Sequence, residues 1–149
     1  MSRFWVRPIL GDFMGSPSPR VSVGIDLVRV SRVAESLERF GDRFLRRVFT
    51  EGEIAYANTS PALASERLAA RFAAKEATIK ALDLTEQGVT WRSIEVEREP
   101  RGKCRLVLHG PARRAADAAG FAELSVSLSH EGDYATAVVF AIRQEELRS

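Results

Sequence analysis

Glu76 and Lys80 are the first residues of this 149-residue chain whose types and spacing point to chemistry. They lie in SPALASERLAARFAAKEATIKAL, Ser60 to Leu82, which reads as one long helix capped by Ser60 and opened by Pro61. On a wheel of ~100° per residue, Leu68, Phe72 and Ile79 form an apolar stripe, and Arg67, Arg71 and Thr78 fall off it, toward water. Glu76 and Lys80 run along the flank of that stripe, interleaved with Ala69 and Ala73. A carboxylate and an ammonium thus share a half-buried strip whose neighbours are too small to fill the space, which leaves room for a ligand. The same spacing is also an ordinary helix pair worth only ~0.2–0.5 kcal/mol. Its meaning therefore depends on residues elsewhere in the chain.

Asp26 is the second carboxylate of interest. In Val21 to Val28 the residues Val21, Val23, Ile25 and Leu27 alternate with Ser22, Gly24 and Asp26, the pattern of a strand with one apolar face. Asp26 sits on the opposite face near the strand's end, beside a glycine that admits a close backbone or ligand. A strand-terminal aspartate in solvent fits the same pattern. A third polar group, His130, ends the alternating strand Leu124 to Ser129.

The elements that must position these groups follow from periodicity and punctuation. After the first strand, Ser31 opens a helix that Gly41 ends, and a short helix runs through Phe44, Leu45 and Val48. Thr50-Glu51-Gly52-Glu53 is a capping box for another short helix ahead of the long one. Ser93 to Arg98 and Cys104 to Leu108 flank the turn Pro100-Arg101-Gly102 as a hairpin. An alanine-rich helix runs from Pro111 to Gly120. The strand ending at His130 then turns at Glu131-Gly132-Asp133 into the nearly all-apolar run Tyr134 to Ile142, expected to be a central strand. The order is strand, three to four helices, two strands, helix, two strands. It predicts an α+β fold with the long central helix packed on an antiparallel or mixed sheet.

Composition narrows the function classes. A hydrophobic content of 45% and charged content of 28% are those of an ordinary globular protein, and the length suits one domain that buries ~70% of its unfolded surface. The net charge of +2 is too small to argue for nucleic acid. No apolar run approaches membrane-spanning length. The single cysteine, Cys104, excludes an internal disulfide framework and fits a reducing cytoplasm, while two histidines are too few for a structural zinc site. Residues 1–20 read as an extension without the pattern of a signal peptide, 21–143 as the domain, and 144–149 as a polar tail. Arginines 29, 32, 39, 43, 46 and 47 make the most basic helical surface, one suited to an acidic protein partner.

Three segments stand in order: Val23-Gly24-Ile25-Asp26-Leu27, the string Leu68-Ala69-Ala70-Arg71-Phe72-Ala73-Ala74-Lys75-Glu76-Ala77 with Lys80, and Val126-Ser127-Leu128-Ser129-His130. Together they closely resemble the holo-acyl-carrier-protein synthases, the short type of 4′-phosphopantetheinyl transferase, over roughly Val21 to Ile142. The resemblance implies transfer of 4′-phosphopantetheine from coenzyme A to a carrier-protein serine, with release of adenosine 3′,5′-bisphosphate. By resemblance, Asp26 and Glu76 are the Mg2+ ligands and Glu76 and Lys80 the catalytic pair. Arg71, Lys75, Lys80 and His130 are then coenzyme A contacts, with Lys75 reaching from the helix's other edge. The serine proton leaves through a water on the metal or through Glu76. Arg32 and Arg47 are implied as docking residues for the acidic carrier protein. The assembly implied is a homotrimer with sites at subunit boundaries, so that Asp26 and Glu76 may come from different chains.

This chain departs from the family pattern at two places: Arg29 stands where many members have an acid, and Cys104 follows Gly102-Lys103 where a proline is usual. A non-catalytic carrier-binding module with the same fold is the alternative, and it would need no magnesium. A nucleotide-binding regulator using the same basic edge is a third reading.

Overall fold

The first strand, β1 (Val21–Arg29), leads into four helices, α1 (Val30–Phe40), α2 (Asp42–Val48), α3 (Glu51–Asn58) and α4 (Ala64–Leu82). The hairpin β2 (Ile94–Arg98) and β3 (Cys104–Leu108) follows, then α5 (Gly110–Ala118), β4 (Phe121–Glu131) and β5 (Tyr134–Arg143). This computed structural model describes residues 19–85 and 87–144. The extension expected at 1–20, apart from its last two residues, lies outside them, as does the tail beyond 144. The order of elements is the expected one, but the strands form two antiparallel sheets: β1-β5-β4 with β5 at the centre, and β2-β3 apart.

Small side chains explain how α4 reaches the three-stranded sheet. Ala73, Ala77 and Ala81 of the helix and Ala137, Val139 and Ala141 of β5 are all buried in one cluster. Gly24 of β1 is the closest point. A Cβ there would lie 2.0 Å from the Ala77 carbonyl oxygen, so any side chain at 24 would force the helix off the strand. The hairpin covers the helix's other side with Ile94 and Val96. A second cluster, around Val33, Val48, Phe49 and Leu68, joins α1, α2 and the first half of α4.

Two expectations drawn from alternation need correction. The helix buries Arg71 and Thr78, which the wheel directs to water, and leaves Phe72 and Ile79 half exposed. A wheel presumes one covered face, whereas α4 is covered on two. On β1 the apolar residues face outward: Val21, Val23, Ile25 and Leu27 are 50–64% exposed, joined by Phe140 of β5 at 47%. The face carrying Gly24 and Asp26 meets α4, because only the small residue permits the close contact.

The caps show which local signals hold. Thr50 and Glu53 form the full capping box at α3, and Gly41 ends α1 at φ 54°. Ser31 does not cap α1. It lies inside the helix, and its N–H and hydroxyl both donate to Asp133 of the β4–β5 turn, at 2.8 and 2.6 Å. These bonds hold the Asp133 carboxyl below the usual carboxylate range. The cap therefore arrives from a residue distant in sequence. Ser60 makes no side-chain cap either, and a 3-10 turn, Pro61–Leu63, precedes α4.

Candidate functional site

α4 and β1 place the expected acids together. Asp26 and Glu76 line one cavity of about 540 Å3, together with Arg29, Arg32, Phe72 and Tyr134. Lys80 Nζ donates to Asp26 Oδ1 at 2.9 Å and to the Ile25 carbonyl at 3.0 Å. Glu76 is also part of the wall of a second cavity of about 360 Å3, which Thr85, Thr90 and Trp91 help to line. Its Oε1 accepts a 2.6 Å hydrogen bond from the Trp91 indole N–H. A third cavity of about 550 Å3, apolar along Phe40, Phe44, Phe72 and Trp91, carries Arg43 and Arg47. Arg32 thus borders the cavity of the acids and Arg47 the other two.

Two carboxylates in one cavity are the donor chemistry that Mg2+ takes from proteins, with water and substrate phosphate completing its shell. Among the described residues no group of three or more His, Cys, Asp and Glu side chains converges as a self-sufficient metal site. Arg29, at the place of a third acid, turns its guanidinium over the Tyr134 ring, 5.4 Å from the centroid. Within the single chain both acids line this one cavity.

The structure gives Lys75 a different role from the one expected. Its side chain is fully buried, 2.9 Å from the equally buried Glu53 carboxylate, and its ammonium also donates to the carbonyls of Trp91 (3.0 Å) and Ile94. Burial pushes its pKa below the usual lysine value, and Glu53 pulls it back. Glu53 in turn accepts from the N–H groups of Thr50 and Val96. With its donors engaged inside the protein, Lys75 has no reach to a phosphate.

Arg71 is also buried, with its guanidinium carbon 4.3 Å from the centre of the Tyr56 ring. Burial lowers its pKa. Arg67 and Arg98 flank the same ring at 4.4 and 5.5 Å, and Arg71 Nε is buried without a hydrogen-bond partner. His130 pairs through Nδ1 with Glu66 in the first turn of α4. Ten residues separate Glu66 from Glu76, about 15 Å at 1.5 Å per residue, so one chain does not bring His130 into the acids' cavity. Trp91, Glu53 and Tyr56 were missed by sequence reasoning. Each acts through a contact made far along the chain, and only the capping box gave a signal for Glu53.

Residues 22–139 match the family profile of the 4′-phosphopantetheinyl transferase superfamily. The chain belongs to its holo-acyl-carrier-protein synthase family. A holo-[acyl-carrier-protein] synthase of Koribacter versatilis is 49% identical over 120 residues, 80% of this chain and 95% of the relative. Among solved structures, the ACPS–CoA complex of Chronobacterium ammoniagenes superposes with a TM-score of 0.72 at 37% identity, covering 84% of this chain and 98% of its own. The Helicobacter pylori synthase in complex with coenzyme A gives 0.70 at 29%, covering 80% and 98%. The fold is accordingly that of these synthases, and the chain is an enzyme of the 4′-phosphopantetheinyl transferase class.

Proposed function

We propose that this enzyme transfers 4′-phosphopantetheine from coenzyme A to a serine of an acidic acyl carrier protein in a Mg2+-dependent reaction. The observation that carries the reading is the cavity shared by Asp26 and Glu76, with Lys80 on Asp26. In the reaction the serine Oγ forms a bond to the β-phosphorus of the coenzyme A pyrophosphate. The bond from that phosphorus to the bridging oxygen breaks, and adenosine 3′,5′-bisphosphate leaves with the electron pair. Asp26 and Glu76 would hold Mg2+, which when bound supplies charge neutralisation at the diphosphate. Lys80, one turn beyond Glu76 and bonded to Asp26, supplies a further positive charge for the departing phosphate. The serine proton goes to Glu76 or to water.

The remaining residues take supporting places in this reading. Arg71, buried on the Tyr56 ring, is as closed to a phosphate as Lys75, and His130 is a coenzyme A contact supplied across a subunit boundary. Arg32 and Arg47 dock the carrier protein, with the apolar cleft between Arg43 and Arg47 receiving its apolar residues. A homotrimer would cover the exposed apolar face of Val21, Val23, Ile25, Leu27 and Phe140. The functional domain is 21–143. A cytoplasmic location fits the single cysteine, and among the described residues no helix is long and apolar enough to cross a membrane.

Intact-mass analysis of apo carrier proteins incubated with the enzyme and coenzyme A tests the reading. A gain of one phosphopantetheine that requires Mg2+ is expected, and apo proteins that never gain mass would refute it. Ile25→Glu should convert the assembly to single chains in light scattering.

A further inference from the structure

The structure assigns Trp91 as the positioning residue of Glu76, fixed in turn by the buried Glu53–Lys75 pair. This rests on the reading of Glu76 as a carboxylate of the metal site. Trp91 opens a 3-10 turn, Trp91–Ser93, just before β2, and is held at three points. Its carbonyl accepts from the Lys75 ammonium at 3.0 Å. Its ring packs on Phe72, with centroids 5.9 Å apart at 40°. Its indole N–H reaches Glu76 Oε1 at 2.6 Å. An indole nitrogen only donates, so it fixes one carboxylate oxygen and leaves Oε2 for a cation or a proton.

The need for such a hold follows from where Glu76 stands. It lines the cavity it shares with Asp26 and also the cavity bounded by Thr85, Thr90 and Trp91. Glu76 borders open space on both sides, with Phe72 in the wall of one cavity and Ile79 in the wall of the other, and the small Ala73 one turn before it leaves the carboxylate room to move. The indole bond supplies the selection. Phe72, Lys75 and Glu76 are all on α4, so the helix grips the backbone and ring of Trp91 and receives the N–H in return. Lys75, excluded from the phosphates by burial, thereby acts on the site at one remove. Partners in this position around metal ligands typically change metal affinity or activity by 10–100-fold when removed.

Two replacements remove the donor and keep an aromatic ring: Trp91→Phe, and site-specific exchange of Trp91 for its benzothiophene analogue, which substitutes sulfur for the N–H alone. The readouts are Mn2+ affinity of the full chain by electron paramagnetic resonance, thermal midpoint without metal, and kcat and KM for coenzyme A at saturating Mg2+. Both replacements are expected to weaken Mn2+ binding about tenfold and to lower kcat by a similar factor. The midpoint of the benzothiophene form should be unchanged. Wild-type Mn2+ affinity and kcat in both would overturn the assignment, as would a lowered midpoint alone. Glu76→Gln separates the layers: if it loses Mn2+ binding while the Trp91 replacements do not, only this inference fails. If Glu76→Gln binds Mn2+ as wild type does, the reading of Glu76 as a metal ligand fails and this inference with it.

Discussion

α4 carries two lysine–carboxylate pairs of identical length and opposite character. Lys75 and Glu53 meet at 2.9 Å with both side chains at 0% exposure, and the pair's other hydrogen bonds all go to backbone groups. Lys80 and Asp26 also meet at 2.9 Å, but at 42% and 14% exposure, and Asp26 lines a cavity. The first pair is closed, the second open. Distance and residue type are the same, so what separates a structural pair from a reactive one is whether water and a ligand can reach it. A buried pair is dearest to break, since loss of one partner strands the other charge. An open pair can exchange partners, which is what the proposed site for a dication and a diphosphate needs.

Breaking the closed pair should produce the largest effect. Lys75→Met leaves Glu53 buried without its cation and should cost about 3–5 kcal/mol in urea unfolding. A loss under about 1 kcal/mol would show that the pair is not a keystone. On the open side, Asp26→Ala and Glu76→Ala should each lower phosphopantetheine transfer by ~10²-fold or more, the scale of removing a charge-stabilising group. Urea midpoints should stay near wild type. Rates within a few-fold of wild type would show that the acids do not hold the metal. Lys80→Met should have two smaller, opposite effects: transfer about tenfold slower, and Mg2+ bound more tightly in titration calorimetry without coenzyme A. The second follows because the ammonium no longer competes for Asp26.

The smallest effect concerns the polar cluster beside the closed pair. Glu95 is half-buried, and that burial opposes its charge. Hydrogen bonds from Thr50 and His109 and the field of Lys75 outweigh burial, so its pKa falls below the ordinary 4.5. A lowered carboxylate pKa contributes stability that is full above the unfolded value and is lost as pH falls through the folded one. Glu95→Gln should therefore cost about 1 kcal/mol near neutrality and flatten the acid-side fall of the thermal midpoint below that pH. An acid limb identical to wild type would show that Glu95 does not contribute to it.

The same contrast explains what the sequence could reveal. Element order, the α3 capping box, the hairpin and the central place of β5 were legible because each rests on spacing or turn chemistry within a few residues. Asp26 and Glu76 were legible as a pair because their motifs resemble a family's. The faces of α4 and β1 were not. Alternation tells which residues share a face, but not whether that face meets the core, solvent or another copy. Val23 and Ile25 look like core and stand outside, while Arg71 and Thr78 look like surface and are buried. Lys75 carries the same limit at the site: its type suits phosphate, and only the arrival of Glu53 from α3 shows it closed. Arg29 in place of an acid leaves two carboxylates in the cavity, and the resemblance alone could not say that both line one cavity of the single chain.

The proposed function requires one dication held by Asp26 of β1 and Glu76 of α4. Crystals grown with Mn2+ and coenzyme A, measured at the manganese edge, test this directly. The expected result is an anomalous peak within coordinating distance of Asp26 and Glu76 and of a diphosphate oxygen, absent in Glu76→Ala. A peak bound by other residues, or coenzyme A seated with its diphosphate away from this cavity, would contradict it.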